Sequence, residues 1–292
     1  MRIGIIGAGK VGQALGKSLQ AAGETFVGLT AGSKASAAAA AAVLKTEAFN
    51  TNAGLVPLCD VVFLTVPDRQ IGTAAESLAR YFAKYGNRAL EGKTFFHCSG
   101  SMGLEELSPL AEIGAGIGSL HPLQSFANPG VSFRGIYIAL DGTDEVRKTG
   151  MKLARRLQAH AFSVPAEERK AYHAAACFAS NYVVTVMSVA QELMARWTPT
   201  PADGLSALLP LFCGTANNLK NTQLAREALT GPIARGDINT IEAHLAVIPP
   251  EIAELYKALG EKTVLIAELN GTIDSSQAKA MLEVLRKQKN TL

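Results

Sequence analysis

Cysteine is scarce and scattered in this chain. Cys59, Cys98, Cys177 and Cys213 are its four cysteines. They form no C-x-x-C pair, and no H-x-x-x-H or carboxylate cluster has ligand spacing, so neither a disulfide framework nor a metal site is expected. A reducing, cytoplasmic compartment fits that usage. Long apolar runs are missing too. Ile3-Gly4-Ile5-Ile6, after Arg2, breaks at once into glycines and Lys10, too short for a signal-peptide core. No segment reaches the roughly 18 unbroken apolar residues of a membrane span. The most apolar stretch, Ala174 to Ala190, carries Ser180, Asn181, Thr185 and Ser188 and reads as a buried core helix. A net charge of +3 without a Lys/Arg block gives no footprint for nucleic acid. No Gly-x-Ser-x-Gly occurs, so the serines do not read as a hydrolase nucleophile.

What is present is a two-part chain. Its 292 residues, 48% of them hydrophobic, are comfortable for two domains. In the first half short apolar runs alternate with helical stretches. Strands are expected at Ile3–Ile6, Thr25–Leu29, Val61–Val66, Thr94–His97, Gly116–Leu120 and Gly135–Leu140, and a helix at Val11–Ala22. The alanine run Ala37–Ala42 reads as helix. Near-continuous apolar strands between helices predict an α/β fold, a doubly wound parallel sheet of Rossmann type. After about residue 165 helical periodicity takes over, with helices near 167–196, 203–229, 237–246, 250–270 and 274–288. The expected division is a dinucleotide-binding domain at 1–165 and an all-helical domain at 166–292.

Gly7-Ala8-Gly9-Lys10-Val11-Gly12 is a G-x-G-x-x-G that follows a strand and opens a helix, the context that gives this motif weight. Gly7 permits a tight turn, Gly9 lets backbone approach a pyrophosphate, and Gly12 lets the helix pack on the sheet. Free amides at the helix N-terminus would face the phosphates. An acidic residue about 20 positions on would bind an adenine-ribose 2′-hydroxyl. From Thr25 to Lys45 there is none. Ser33 and Lys34 stand there instead and suit a 2′-phosphate, pointing to NADP; alternatively Ser33 caps a helix and Lys34 is solvated. Val66-Pro67-Asp68 would lie along the cofactor, or Asp68 would cap the next helix. Ser99 and Gly100, after strand Thr94–His97, are further contact candidates.

With the motif G-A-G-x-V-G come "DVVFLTVPD", "FFHCSGS", "SLHPLQSF", "YHAAACFASNY" and "GPIARGD". Together these resemble, over nearly the whole chain, a family of NADP-dependent oxidoreductases with a Rossmann-like domain followed by a helical domain of uncharacterised (DUF2520) type. More distant similarity runs to pyrroline-5-carboxylate reductase, prephenate dehydrogenase and the 6-phosphogluconate and β-hydroxyacid dehydrogenases. The resemblance implies a dehydrogenase or reductase scaffold, dimeric through the helical domain, acting on a small substrate.

The helix beginning near Glu167 places Lys170, His173, Cys177, Ser180 and Asn181 within an arc of about 100°. In the hydroxyacid dehydrogenases the corresponding helix supplies a lysine and an asparagine one turn apart; Lys170 and Asn181 are three turns apart, so this chain departs from that pattern. His173 is the first candidate proton donor and Asn181 a group to position the substrate oxygen. A core histidine bonded to a carbonyl is the alternative for His173. His121, stiffened by Pro122 after an expected strand end, is the second candidate, with a structural turn as its alternative. Ser180 and Arg235 are candidate substrate contacts. Arg235 would clamp an anionic group, pair with Asp237 or cap a helix. The expected activity is hydride transfer between NADP and a small anionic substrate. The rival readings are an NADP-binding sensor without chemistry and a deazaflavin (F420)-dependent NADP reductase.

Overall fold

The computed structural model describes residues 1–287 and resolves two compact units, Met1–Tyr182 and Val183–Leu292. In the first unit the chain runs β1 (Arg2–Ile6), α1 (Lys10–Ala21), β2 (Thr25–Thr30), α2 (Lys34–Leu44), β3 (Glu47–Ala48), α3 (Asn52–Leu55), β4 (Val61–Leu64) and α4 (Ile71–Phe82). It continues through β5 (Thr94–His97), α5 (Ser108–Ala111), β6 (Gly116–Leu123), β7 (Tyr137–Gly142), α6 (Asp144–Arg156), β8 (His160–Ser163) and α7 (Arg169–Ala179). The strands form one sheet in the order β3-β2-β1-β4-β5-β6-β7-β8. Every neighbouring pair is parallel except β6 and β7, which are antiparallel. The α/β Rossmann expectation holds, with that single reversal.

The sheet is covered on both faces because its strands alternate between two cores. In β4, Val61 and Phe63 join the cluster built on Leu15, Leu19 and Leu44. Val62 and Leu64 join the opposite cluster with Ile71, Ala75 and Leu78 of α4. Phe63 stacks on Phe96 with ring centroids 5.6 Å apart, an arrangement that adds to the area both rings remove from water. The alanine run is helical: α2 buries Ala37, Ala40, Ala41 and Leu44, one face at helical spacing.

Three boundaries differ from expectation. β4 stops at Leu64, before Pro67, which cannot donate to a ladder. β6 runs on to Leu123, so His121-Pro122 lies inside the strand and not in a loop beyond it. His121 pairs with Ala139 across the antiparallel ladder, and Pro122 is tolerated because only one flank of β6 is paired there. The short strands β3 and β8 had no apolar run to announce them. The boundary expected at 165/166 falls inside the first compact unit, because α7 is tied to the sheet by the buried Arg169 described below.

The helical run 167–196 is broken. α7 ends at Ala179, Ser180 takes φ −128° and ψ −71°, and α8 (Asn181–Met194) starts afresh. Residues 166–194 are long and apolar enough to cross a membrane by length and composition alone, and none of the most apolar 18-residue window within them is buried inside the chain. The expected buried core helix is therefore an exposed apolar one. Phe178 is 69% and Val184 69% exposed.

The second unit continues through α9 (Pro201–Lys220), α10 (Ile238–Val247), α11 (Pro250–Leu269) and α12 (Ser275–Arg286). Its core is Ile241, Val264, Ala267, Ile273, Ala278, Met281 and Leu285. The helix expected over 203–229 ends at Lys220 and is followed by a separate turn at Ala225–Ala228. The expected end of the last helix, at 288, lies outside the described residues.

Candidate functional site

The turn between β1 and α1 sits where the sheet order reverses, with β2 on one side of β1 and β4 on the other. In such sheets that crevice is where ligands bind. Gly7 has φ +112°, and a side chain there would run into the Thr65–Val66 peptide at 2.7 Å. A Cβ on Gly12 would overlap the Gly7 carbonyl oxygen and lie 2.5 Å from Thr65 Oγ1. Thr65 closes the contact by donating to the Gly7 carbonyl at 2.6 Å, a partner that the motif did not reveal. Gly9 is different: nothing lies within 4 Å of its missing Cβ. The first intrahelical bond is Gln13 N–H to Gly9 O at 3.0 Å, and Gly9 caps α1 with no side chain. The amides of Lys10, Val11 and Gly12 precede that bond, so the helix start is shaped to take an anion. Ala8 is pinned by Gln13 Nε2, which donates to its carbonyl at 2.8 Å.

Beside this turn a cavity of about 350 Å³ is lined by Gly7, Thr30, Ala31, Gly32, Asn52, Val66, Gln70, Thr73 and their neighbours. Thr30 donates to Asn52 Oδ1 at 2.6 Å, so a side chain from α3 is held over the end of β2. Ser33 caps α2, accepting from Ser36 N–H at 3.1 Å, and Lys34 is exposed in the first turn. The capping alternative for Ser33 is thus what the structure contains, at a helix N-terminus with no acidic residue in its first turn. Val66 lines the cavity, Pro67 does not, and Gln70 and Thr73 beyond it line the cavity again.

Asp68 neither caps the following helix nor faces that cavity. Its carboxylate accepts from Ser99 Oγ at 2.7 Å. Ser99 Oγ in turn accepts from Met102 N–H at 3.1 Å and Ser101 N–H at 3.3 Å. The Ser99 hydroxyl is therefore spent on folding the Ser99–Met102 turn. Gly100, inside that turn, meets two imidazoles: a Cβ there would lie 2.5 Å from His173 Nδ1 and 2.9 Å from both Cε1 and Nε2 of His121.

Those two histidines and Tyr172 form the polar end of a cavity of about 560 Å³. Its walls include Leu123, Gln124, Ser125, Phe162, Ala176, Cys177, Ser180 and Asn181. His121 Nδ1 and Tyr172 Oη are 2.7 Å apart. Burial, the neighbouring His173 and Arg169 push His121 down to about 4, against a small opposing pull from Asp68. Burial pushes the Tyr172 phenol up to about 12. His121 is thus a neutral imidazole at pH 7, bonded to a neutral phenol. His173 Nδ1 is buried against Gly100 without a hydrogen-bond partner among the described residues. His97, at the end of β5, is wholly buried, and burial, with the Arg169 charge, lowers it to about 4.

The structure therefore gathers His121, His173, Ser180 and Asn181 around one cavity. Lys170 is exposed and does not line it. Arg235 lies in the second unit, exposed at the end of a short turn (Ile233–Arg235). Asp237 is committed to capping α10, accepting from Thr240 N–H at 3.1 Å. Tyr172, Arg169 and Asn52 were not singled out from the sequence. The His121-to-Tyr172 bond joins residues 51 apart, which no local pattern reports.

Turn, switch point and sheet together define a Rossmann-type fold. Residues 1–122 match the model of a Rossmann-like domain, and residues 136–263 match that of a domain of unknown function, DUF2520. The chain thus carries a Rossmann-like domain followed by a DUF2520 domain, as the sequence motifs had indicated. No curated protein matches it. Among solved structures it is similar to a candidate NADP oxidoreductase from Bacteroides fragilis, at 22% identity and a TM-score of 0.67, covering 97% of this chain and 98% of that one. A protein from Thermotoga maritima follows at 25% identity, TM-score 0.62 and the same coverage of both chains. The 1-pyrroline-5-carboxylate reductase of Streptococcus pyogenes shares 18% identity and a TM-score of 0.60, covering 96% and 98%. At such identities the likeness is one of fold.

The two depressed histidines set an acid limit on stability. Between the ordinary histidine value of 6.5 and about 4, the unfolded chain binds protons that folded His97 and His121 refuse. Stability is then complete above pH 6.5 and falls as pH drops through this window, by up to about 1.4 kcal/mol per pH unit for each histidine. Urea unfolding from pH 7 to 4.5 should show this decline, and His121→Asn should halve its slope. A slope that is the same in the variant would contradict the assignment of His121 as a neutral group.

Proposed function

We propose that this protein is an NADP-dependent oxidoreductase that moves a hydride between the nicotinamide and a small carbonyl or imine substrate. The observation that carries the reading is the side-chain-free start of α1, where open space around Gly9 meets amides that precede the first helical bond. When bound, the nicotinamide supplies or takes the hydride at its C4. Gly7, Ala8, Gly9, Lys10, Val11 and Gly12 would hold the pyrophosphate. The N-terminus of α2, with Ser33 and Lys34, would take the 2′-phosphate, with no carboxylate there to repel it. The names of the Bacteroides fragilis and Streptococcus pyogenes structures support the same class.

Proton handling falls to the cluster above. With the proton on His121 Nδ1, the imidazole donates to Tyr172 Oη and leaves the phenolic proton free for a substrate oxygen or nitrogen. His173 packs beside the pair, its ring centroid 6.0 Å from that of His121. Asn181 and Ser180, on the same wall, orient the substrate. The cavity lining carries no lysine or arginine, so it lends no support to the anionic substrate expected from Arg235.

A homodimer through the helical part is proposed as well. α9 exposes Leu211 at 71%, and Trp197 just before it is 72% exposed. Apolar surface of this kind on a folded chain marks a contact region, and a second copy presents the same face to itself.

Fluorescence titration should give tighter binding for NADPH than for NADH; equal or weaker NADPH binding rejects the cofactor choice. Tyr172→Phe should lower turnover on a panel of carbonyl and imine compounds by about 10² or more while leaving NADPH affinity unchanged. Retained turnover would remove Tyr172 from the proton path. Sedimentation should find a dimer in the parent chain and a monomer in Leu211→Glu, and a parent monomer would end the dimer proposal.

A further inference from the structure

Arg169 is the largest fully buried side chain in the protein, at 1% exposure. It opens α7, and Tyr172 and His173 follow at the third and fourth positions beyond it, on the same helix face. Its guanidinium reaches three separate segments. Nε donates to the Met102 carbonyl at 2.8 Å, and Nη2 donates to the Ser99 carbonyl and to Ser119 Oγ, each at 2.8 Å. Nη1 stands 3.9 Å from Asp141 Oδ2 on β7. One side chain thus joins α7 to both ends of the Ser99–Met102 turn, to β6 two residues before His121, and to β7.

A buried cation is costly, and hydrophobic anchors of similar volume hold helices to sheets more cheaply. Here the cation is also incompletely paired, since Nη1 and Asp141 Oδ2 are buried without hydrogen-bond partners among the described residues. We propose that Arg169 is the positioning residue of the His121–Tyr172–His173 cluster: it sets the rotation of α7 and the place of Gly100, and its charge faces the imidazoles. The proposal rests on the reading of His121 and Tyr172 as the proton-handling pair.

The groups facing His121 are Tyr172, His173 and Arg169 from α7, His97 from β5, and Asp68 from the loop after β4. The antiparallel partner Ala139 carries no charge. Arg169 is the one fixed cation among them, and with His173 and burial it holds His121 in its neutral form.

The test is ¹⁵N-histidine NMR on the full chain, with no substrate needed. In the parent protein His121 Nδ1 should carry the signature of a hydrogen bond to Tyr172 and titrate near pH 4. In Arg169→Gln that signature should vanish and the midpoint should rise by about one unit. Arg169→Lys, which restores the charge but not the fork, should return the midpoint and not the hydrogen bond. A folded Arg169→Gln with an unchanged His121 spectrum overturns the proposal. Should Arg169→Gln fail to fold, Asp141→Asn decides. It uncovers the guanidinium charge and should move the His121 midpoint down, and an unmoved midpoint again overturns the role. NADPH titration of the same samples keeps the two readings apart: absent binding in the parent protein defeats the oxidoreductase assignment without touching the His121 result.

Discussion

Everything in the first unit that faces a ligand depends on one close approach. The exits of β1 and β4 lie so near each other that neither Gly7 nor Gly12 has room for a Cβ, and Thr65 seals the contact from the far side. The sheet could not splay open at its switch point and still keep Leu15 and Leu19 of α1 packed on Ile3 and Ile5 of β1. Because the backbone is that tightly held, the free amides of α1 are aimed at a fixed place, which is what preorganised recognition of a phosphate requires. The same device recurs at Gly100. There the absent side chain admits two imidazoles in place of a backbone. One glycine contact leaves helix amides open, and the other seats a pair of imidazoles.

The polar groups under the second contact follow from the geometry of the sheet. The turn after β5 leads through α5 into β6, the parallel neighbour of β5. Its carbonyls at Ser99 and Met102 need donors, and Arg169 supplies them from α7. The cation brought in for that purpose lies among imidazoles, which respond by staying neutral. Burial and charge push in the same direction, so the histidines do not depend on either alone.

Much of this was legible in the sequence, for physical reasons that differ by residue. The G-x-G-x-x-G could be read because backbone sterics leave no other residue at Gly7 and Gly12. The doubly wound sheet could be read because strands buried on both faces are apolar throughout. His121 and His173 could be marked as chemical, and the fold brings them together, but the strand that carries His121 was cut three residues short. Pro122 looked like a terminator, and only the missing partner on one flank makes it tolerable. Arg169 gave no signal, since an arginine after two glutamates at a helix start reads as solvated. Asp68 and Ser99 were picked out as ligand contacts and prove to be each other's partners. Hydroxyls and carboxylates at strand ends serve the turn first, and spacing does not separate the two uses.

The helix across 167–196 shows most clearly where periodicity runs out. Its apolar composition announces burial but not by what, and within this chain its face is open. Helical periodicity runs through it unbroken, yet Ser180 leaves helical angles with no proline or glycine to force the break. That bend changes the site. On a straight helix Lys170, His173, Cys177, Ser180 and Asn181 would share one stripe. With the bend, His173 and Cys177 come from the end of one helix, Ser180 from the corner and Asn181 from the start of the next, and these four line the cavity. Lys170 belongs to the stripe and not to the wall, and the cavity's polar end carries His121 and Tyr172, both neutral at pH 7. A wall of that kind suits a proton exchanged with a neutral carbonyl or imine better than it suits a fixed counter-charge for a carboxylate.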